Sequence, residues 1–189
     1  MQSLKKLAVF CGSKTGSKKI YSEITCQFAQ FLVKENITLI YGGGKVGLMG
    51  IIADEVLKHN GQVIGVMSKP LVEIEIAHNG LTHLHIVDTL SQGKALMAEL
   101  AEGFILLPGG PGSLDEFFEM LTWAQLGYHQ KPIGILNVAG YYDLMIELLK
   151  QMAEEGFFKK EYFQRIHMAK TAEELLTKMH SQEYYQQQL

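Results

Sequence analysis

Short apolar runs alternate with longer amphipathic segments along the chain. The apolar runs predict strands at 7–12, 37–44, 62–67, 84–88, 103–108 and 131–138. Apolar residues at helical spacing predict helices at 21–36, 46–61, 90–101 and 141–156, with a further helix beginning near Ser113. A last strand and helix are expected at 166–169 and 172–179. Pro70 interrupts the segment that follows the third strand.

The strands are apolar throughout and do not alternate, so both faces of their sheet should be covered by helices. Repeated alternation of strand and helix predicts a doubly wound, mainly parallel α/β sheet of the Rossmann type. With 189 residues and no linker-like stretch, residues 1–189 are expected to form a single domain. The polar tail 180–189 is expected to fray.

Composition and charge exclude several classes of function. The net charge of −3, from 17 basic and 20 acidic residues, gives no polycation for nucleic acid. No stretch approaches the roughly 18 apolar residues that span a bilayer, and the N-terminal apolar run is too short for a signal peptide. Two cysteines make no disulfide framework, and no metal-ligand spacing is present. These features predict a cytoplasmic protein that binds no metal, membrane or nucleic acid.

Glycine-rich loops follow three of the predicted strands. They read CGSKTG, YGGGKVGLMG (with Gly43 and Gly44) and PGGPGS. In a doubly wound sheet, ligands bind beyond the carboxyl ends of the strands, where these loops lie. Glycine lets a ligand approach the backbone amides, and the start of the next helix favours an anion. The spacing matches neither G-x-G-x-x-G nor a P-loop, so the third loop predicts a phosphate cradle of another kind.

Glu116 has two interpretations on spacing alone. Ser113-Leu114-Asp115-Glu116 matches the S-x-x-E capping box, in which the glutamate bonds back to the first amide of the helix. Alternatively, Glu116 is a catalytic carboxylate beside the anion cradle. The aromatic residues Phe117, Phe118 and Trp123 that follow are expected to be core or subunit interface.

The motifs resemble those of the Lonely Guy family, formerly described as lysine decarboxylase-like. The matching segments are VFCGS, YGGGKVGLMG, EIAHNGL, KALMAEL, LPGGPGSLDE and LTWAQLGYHQKPIGILNVAGYYD, in the family's order, over about residues 7–179. The hallmark P-G-G-x-G-T-x-x-E appears at 108–116 with Ser113 in place of threonine. The resemblance implies hydrolysis of a nucleoside 5′-monophosphate, such as a cytokinin riboside 5′-monophosphate or AMP, to free base and ribose 5-phosphate. It also implies a homodimer that needs no cofactor.

The resemblance also assigns roles to individual residues. Glu116 would be the catalytic carboxylate. Phosphate and substrate contacts would come from Gly109, Gly110, Pro111, Gly112, Ser113, Lys94, Glu75, Thr122, Gly43 and Gly44. A carboxylate beside the sugar suits this reaction, because cleavage of the ribosyl–base bond builds positive charge on the sugar. An apolar slot for a substituted base could be lined by Met49, Met97 or Trp123.

One position departs from the family pattern. The family's M-H-x-R-K reads Leu90-Ser91-Gln92-Gly93-Lys94 here, so Gly93 stands where the family has a catalytic arginine. A glycine supplies none of the bidentate contacts of a guanidinium. Lys14 and Lys45, on neighbouring loops, are candidates to supply the missing charge. The alternative is a weak or inactive nucleotide-binding or cofactor-carrier protein on the same fold. A decarboxylase would require a Schiff-base lysine and pyridoxal phosphate, and no lysine stands out for that role.

Overall fold

The computed structural model describes residues 4–72 and 77–186. Seven strands in this range form one sheet: β1 (Lys6–Phe10), β2 (Thr38–Tyr41), β3 (Val63–Ser68), β4 (His83–Val87), β5 (Gly103–Leu106), β6 (Ile133–Leu136) and β7 (Ile166–Ala169). The helices of the same range are α1 (Lys19–Lys34), α2 (Gly47–Lys58), α3 (Lys69–Val72), α4 (Leu90–Leu100), α5 (Pro111–Gln125), α6 (Asp143–Glu154), α7 (Lys160–Gln164) and α8 (Ala172–Gln186), with a 3₁₀ turn at Val138–Gly140.

The sheet is parallel and doubly wound. Its strand order is β4-β3-β2-β1-β5-β6-β7, and every neighbouring pair is parallel. The chain moves outward from β1 to β4, returns to β5 and continues outward to β7. The loops after β1 and β5 therefore diverge, which leaves a crevice at this switch point. The fold class predicted from the sequence is confirmed.

Two apolar clusters lie on opposite faces of the sheet. Helices α1, α2 and α8 cover one face, with side chains such as Phe28 packed against Leu7 and Val9. Helices α4, α5 and α6 cover the other, where Phe117 packs with Ala8 and Phe10. Phe28 and Phe117 are almost fully buried, and burial of such a side chain contributes about 1.5–3 kcal/mol. Phe117 thereby fixes α5, the helix that follows the predicted anion cradle.

The element boundaries differ from the prediction mainly beside glycine and proline. Strands β1 and β2 end before Cys11 and Gly42, because the glycine loops leave the sheet there. Pro70 was predicted to interrupt the segment after the third strand, but β3 ends at Ser68 and Pro70 lies inside the short helix α3. Proline is tolerated there because the first turn of a helix has no intrahelical acceptor for its amides. The sequence patterns did not indicate α3 or α7.

None of the helices within the described ranges is both long and apolar enough to cross a lipid bilayer.

Candidate active site

A cavity of about 330 Å³ opens at the carboxyl edge of the sheet, across the switch point. Its lining comes from the ends of β1, β2 and β3 and from α2, α3, α4 and α5. Six of the predicted site residues line it, and five of these lie at the start of α5: Gly110, Pro111, Gly112, Ser113 and Glu116. Lys94 lines it from α4. The predicted site and this cavity therefore overlap in part.

The glycine loops after β1, β2 and β5 are packed against one another. The amide of Gly12 donates to the carbonyl of Pro108 at 3.0 Å, and the amide of Leu48 donates to the carbonyl of Gly12 at 2.9 Å. Gly47 has a φ of +63°, and a Cβ there would lie 2.2 Å from the backbone carbon of Ser13. A side chain at position 47 is excluded by both the dihedral and the contact. These contacts fix the floor of the cavity.

Helix α5 begins at Pro111, two residues earlier than the sequence predicts. Gly110 is its N-cap, and no side chain of the described residues caps it. The predicted capping box at Ser113 and Glu116 is therefore wrong, because Ser113 lies inside the first turn. Proline at the first helical position has no amide to satisfy and already holds a helical φ, which favours this earlier start. A capping box does occur at α4, between Thr89 and Gln92.

The start of α5 has the properties of an anion cradle. The amides of Gly112 and Ser113 belong to the first turn and have no acceptor within the helix. A Cβ at Gly110 or Gly112 would meet nothing within 4 Å, so a ligand can approach the backbone from that side. The helix dipole adds a partial positive charge. A phosphate group fits these features, as the sequence predicts.

Glu116 lies one turn into α5, half-buried, with its side chain on the cavity wall. Because the N-cap is Gly110, Glu116 is too far along the helix to close a capping box. Of the two interpretations of Glu116, the structure leaves a carboxylate that faces the cavity next to the anion cradle.

Lys94 joins α4 to α5 beside Glu116. Its Nζ lies 2.9 Å from Asp115 Oδ2 and 2.5 Å from Glu119 Oε2. Burial, the largest single effect, would lower the pKa of Lys94, but the hydrogen bonds and charges of Glu119 and Asp115 together raise it above its usual value. Lys94 is thus held as a cation at the cavity wall, and the carboxylates of Asp115 and Glu119 fix the position of its ammonium group.

Gly93 is buried and also lines the cavity. A Cβ at this position would lie 3.5 Å from Val87 Cγ2 and 3.9 Å from Val66 Cγ1, which is ordinary van der Waals contact. A Cβ would therefore fit at position 93. Lys14 and Lys45, the candidates to replace the family arginine, are exposed and are not part of the described cavity wall.

Four predicted contact residues are not among the residues that line the cavity: Gly43, Gly44, Gly109 and Thr122. Gly43 accepts a hydrogen bond from the amide of His78 at 2.9 Å, and Gly44 accepts one from the Tyr41 hydroxyl at 3.2 Å. Thr122 Oγ1 donates to the carbonyl of Phe118 at 2.7 Å within α5. Glu75 lies outside the described residues.

Two tyrosines hold the loop after β5. The Tyr141 hydroxyl donates to the carbonyl of Gly109 at 2.8 Å, and the Tyr142 hydroxyl donates to the carbonyl of Leu107 at 2.9 Å. The two rings pack edge to face with centroids 4.8 Å apart. Burial raises the pKa of Tyr142, which keeps its hydroxyl a neutral donor. Neither tyrosine was predicted to support the site, because nothing in the local sequence shows that position 141 folds back onto position 109.

The end of the cavity near β3 is mainly apolar. Met49 and Met97 line the cavity as predicted, whereas Trp123 is not part of the described wall. Val66 and Ser68 from β3, Leu71 from α3 and Leu90 from α4 complete this end. Val66 and Ser68 were not predicted from the sequence, because a strand end carries no motif that marks it as part of a site. No cluster of three or more metal-ligand side chains occurs among the described residues.

The family described as "Possible lysine decarboxylase" matches residues 49–179. The chain is 46% identical over 174 residues to a probable cytokinin riboside 5′-monophosphate phosphoribohydrolase of Oryza sativa subsp. japonica, an alignment that covers 92% of this chain and 78% of the relative. It is 42% identical over 175 residues to a cytokinin riboside 5′-monophosphate phosphoribohydrolase of Arabidopsis thaliana, covering 93% of this chain and 82% of the relative.

Solved structures share the fold. The molybdenum cofactor binding protein from Rippkaea orientalis superposes with a TM-score of 0.69 at 17% identity, over 96% of this chain and 98% of the other. The Moco carrier protein from Chlamydomonas reinhardtii gives a TM-score of 0.70 at 14% identity, over 96% and 99%. At such identities only the fold is shared. On the extent and level of its sequence matches, the chain belongs to the Lonely Guy family.

Proposed function

We propose that this protein hydrolyses the N-glycosidic bond of a nucleoside 5′-monophosphate and releases the free base and ribose 5-phosphate. The observation that carries the proposal is the placement of Glu116 and the uncapped start of α5 in one cavity. The relatives in Oryza sativa and Arabidopsis thaliana carry the name of this activity.

Different residues of the cavity contact different parts of the nucleotide. The amides of Gly112 and Ser113 bind the 5′-phosphate, which places the ribose beside Glu116. As the bond between C1′ and the base nitrogen breaks, positive charge develops on the sugar, and the fixed carboxylate of Glu116 stabilises it. Water adds its oxygen to C1′ and loses a proton, and the departing base gains one. The ammonium group of Lys94 places a positive charge on the same cavity wall.

A pyridoxal phosphate decarboxylase is disfavoured by Lys94. It is the one lysine on the described cavity wall. A Schiff-base lysine is activated by a lowered pKa, but the carboxylates of Asp115 and Glu119 raise the pKa of Lys94. The chemistry of this lysine suits charge stabilisation better than nucleophilic attack.

A second candidate function is nucleotide binding without turnover. It is favoured by Gly93, which leaves the cavity wall without a side chain where the family pattern has arginine. Phosphate binding by the start of α5 does not require that arginine. Binding of AMP without release of adenine would identify this function.

We also propose a homodimer and a cytoplasmic location. The cysteine-poor composition supports the location. Large apolar side chains are exposed after α5 and on α6, among them Tyr128 (74%) and Leu144 (80%), and exposed apolar groups of this kind favour association. Light scattering on purified protein tests the dimer: a monomer mass at micromolar concentration contradicts it.

Incubation of the purified protein with AMP, followed by chromatography, tests the proposed reaction. We expect adenine and ribose 5-phosphate in equal amounts, and none from adenosine, which has no phosphate for the cradle. Release of base from adenosine at the same rate would contradict the assigned role of α5. Binding of AMP with no released base would replace hydrolysis by the second candidate function.

A further inference from the structure

Ser68 carries a buried hydroxyl that none of the described residues satisfies. Ser68 is the last residue of β3, is 2% exposed and lines the cavity. Within residues 4–72 and 77–180, Ser68 Oγ has no hydrogen-bond partner. A buried hydroxyl normally has a partner, and one without is destabilising. The cavity is the side from which a partner can come.

The distance of Ser68 from the start of α5 places Ser68 at the end of the ligand away from the phosphate. In the sheet, β3 is separated from β5 by three strand spacings of about 4.8 Å, roughly 14 Å. A nucleotide whose phosphate lies at the start of α5 and whose ribose lies at Glu116 extends toward β3 with its base. Val66, Leu71 and Met97 line that end, so Ser68 provides a hydroxyl among apolar groups.

We propose that Ser68 determines specificity for the base: its hydroxyl hydrogen-bonds a polar atom at position 6 of a purine, either the amino group itself or a hydroxyl on an N6 side chain. This inference rests on the proposed function for the direction of the nucleotide. A serine hydroxyl both donates and accepts, which suits either group. A site that hydrogen-bonds a substrate group rejects the analogue that lacks it.

Two matched pairs of nucleotides test the proposal. The first pair is AMP and the 5′-monophosphate of purine riboside, which lacks the 6-amino group. The second is AMP with an N6-hydroxyalkyl chain and AMP with the corresponding N6-alkyl chain. We expect the wild type to prefer the hydrogen-bonding member of at least one pair, and Ser68→Ala to reduce that preference on the order of tenfold in kcat/KM. The pair that responds shows which polar atom Ser68 binds.

Two controls separate recognition from structure. Ser13→Ala removes another hydroxyl from the cavity wall, in the loop after β1, and should leave both preferences unchanged. Without ligand, Ser68→Ala should be as stable as the wild type or more so, because it removes an unsatisfied buried hydroxyl. A clear loss of thermal stability in Ser68→Ala would show a structural partner and overturn the proposal.

The remaining outcomes distinguish this inference from the proposed function. Hydrolysis with both preferences unchanged in Ser68→Ala refutes the role of Ser68 and leaves the reaction intact. If no nucleotide is hydrolysed, the same pairs are compared by calorimetric binding. Loss of preference in binding then supports Ser68 while the hydrolase proposal fails. Failure of all four nucleotides to bind overturns both.

Discussion

Gly109 and Ser113 approach so closely that a Cβ on Gly109 would lie 2.2 Å from Ser113 Oγ. The same Cβ would lie 3.0 Å from the amide nitrogen of Gly12. Gly109→Ala should therefore displace the loop from both neighbours and lower the free energy of unfolding by about 1–3 kcal/mol, as overpacking does. The midpoint temperature of unfolding and the affinity for AMP should both fall.

Gly110→Ala is the matched control for this change. Its Cβ would point into open space, so thermal stability should stay within about 0.5 kcal/mol of the wild type, while AMP binding weakens because the methyl group obstructs the approach to the amides. Equal stability of Gly109→Ala and the wild type would contradict the packing argument. Unchanged AMP affinity in Gly110→Ala would contradict the anion cradle.

Glu116→Gln should abolish hydrolysis and leave the binding of AMP intact. The amide keeps the shape of the carboxylate but not its charge, so we expect kcat to fall at least about 100-fold with the affinity for AMP little changed. Glu119→Gln, one turn further along α5, is the control: its partner is Lys94, and it should retain most of the turnover. Single-turnover release of adenine measures both, and comparable rates in the two variants would remove Glu116 from the chemistry.

The pKa of Lys94 predicts a stability that depends on pH. A raised pKa means that the folded state favours the charged amine, so its contribution is fully present below the unfolded value of 10.5 and is lost as the pH rises through the folded value. Lys94→Gln should unfold more easily at pH 8, by an amount between the ~0.5 kcal/mol of an exposed ion pair and the ~3 kcal/mol of a buried one.

Thermal unfolding of the wild type and Lys94→Gln between pH 8 and pH 11.5 checks this sign. The difference between the two proteins should shrink above pH 10.5. A difference that grows with pH, or that is absent at pH 8, would show that Asp115 and Glu119 do not stabilise the charge of Lys94.

Much of the fold is predictable from this sequence because its signals are local. The apolar runs identified all seven strands of the described sheet, and their repetition with helices indicated the doubly wound topology. The capping box at Ser113 was wrong because proline at position 111 starts the helix earlier. The capping box at Ser113 and the proline at position 111 predict two different starts for α5, and only the observed start of the helix distinguishes them.

The site was predictable in part. The loop at 109–113 and Glu116 follow a motif along the chain, and the cavity contains four of these five loop residues together with Glu116. Ser68 lies at the site because β3 ends at the same edge of the sheet as β1 and β5. Tyr141 lies there because the chain after β6 folds back onto Gly109. No pattern of neighbouring residues records such long-range contacts, so sequence reasoning missed them.

Gly93 gives the most direct test of whether the missing arginine limits the reaction. A Cβ at position 93 would meet its nearest atoms at 3.5 and 3.9 Å, which is ordinary contact, and replacement of a helix-interior glycine favours the backbone by about 0.5–1 kcal/mol. Because Gly93 lines the cavity, we expect Gly93→Arg to fold with its longer side chain directed into that space. If the charge is the missing component, kcat/KM for AMP should rise on the order of 10²–10³-fold, the typical effect of one preorganised donor. Gly93→Ala gains the same backbone stability without the charge and should not gain turnover. Equal rates in Gly93→Arg, Gly93→Ala and the wild type, with AMP bound by all three, would show that this chain's reaction does not depend on a cation at position 93.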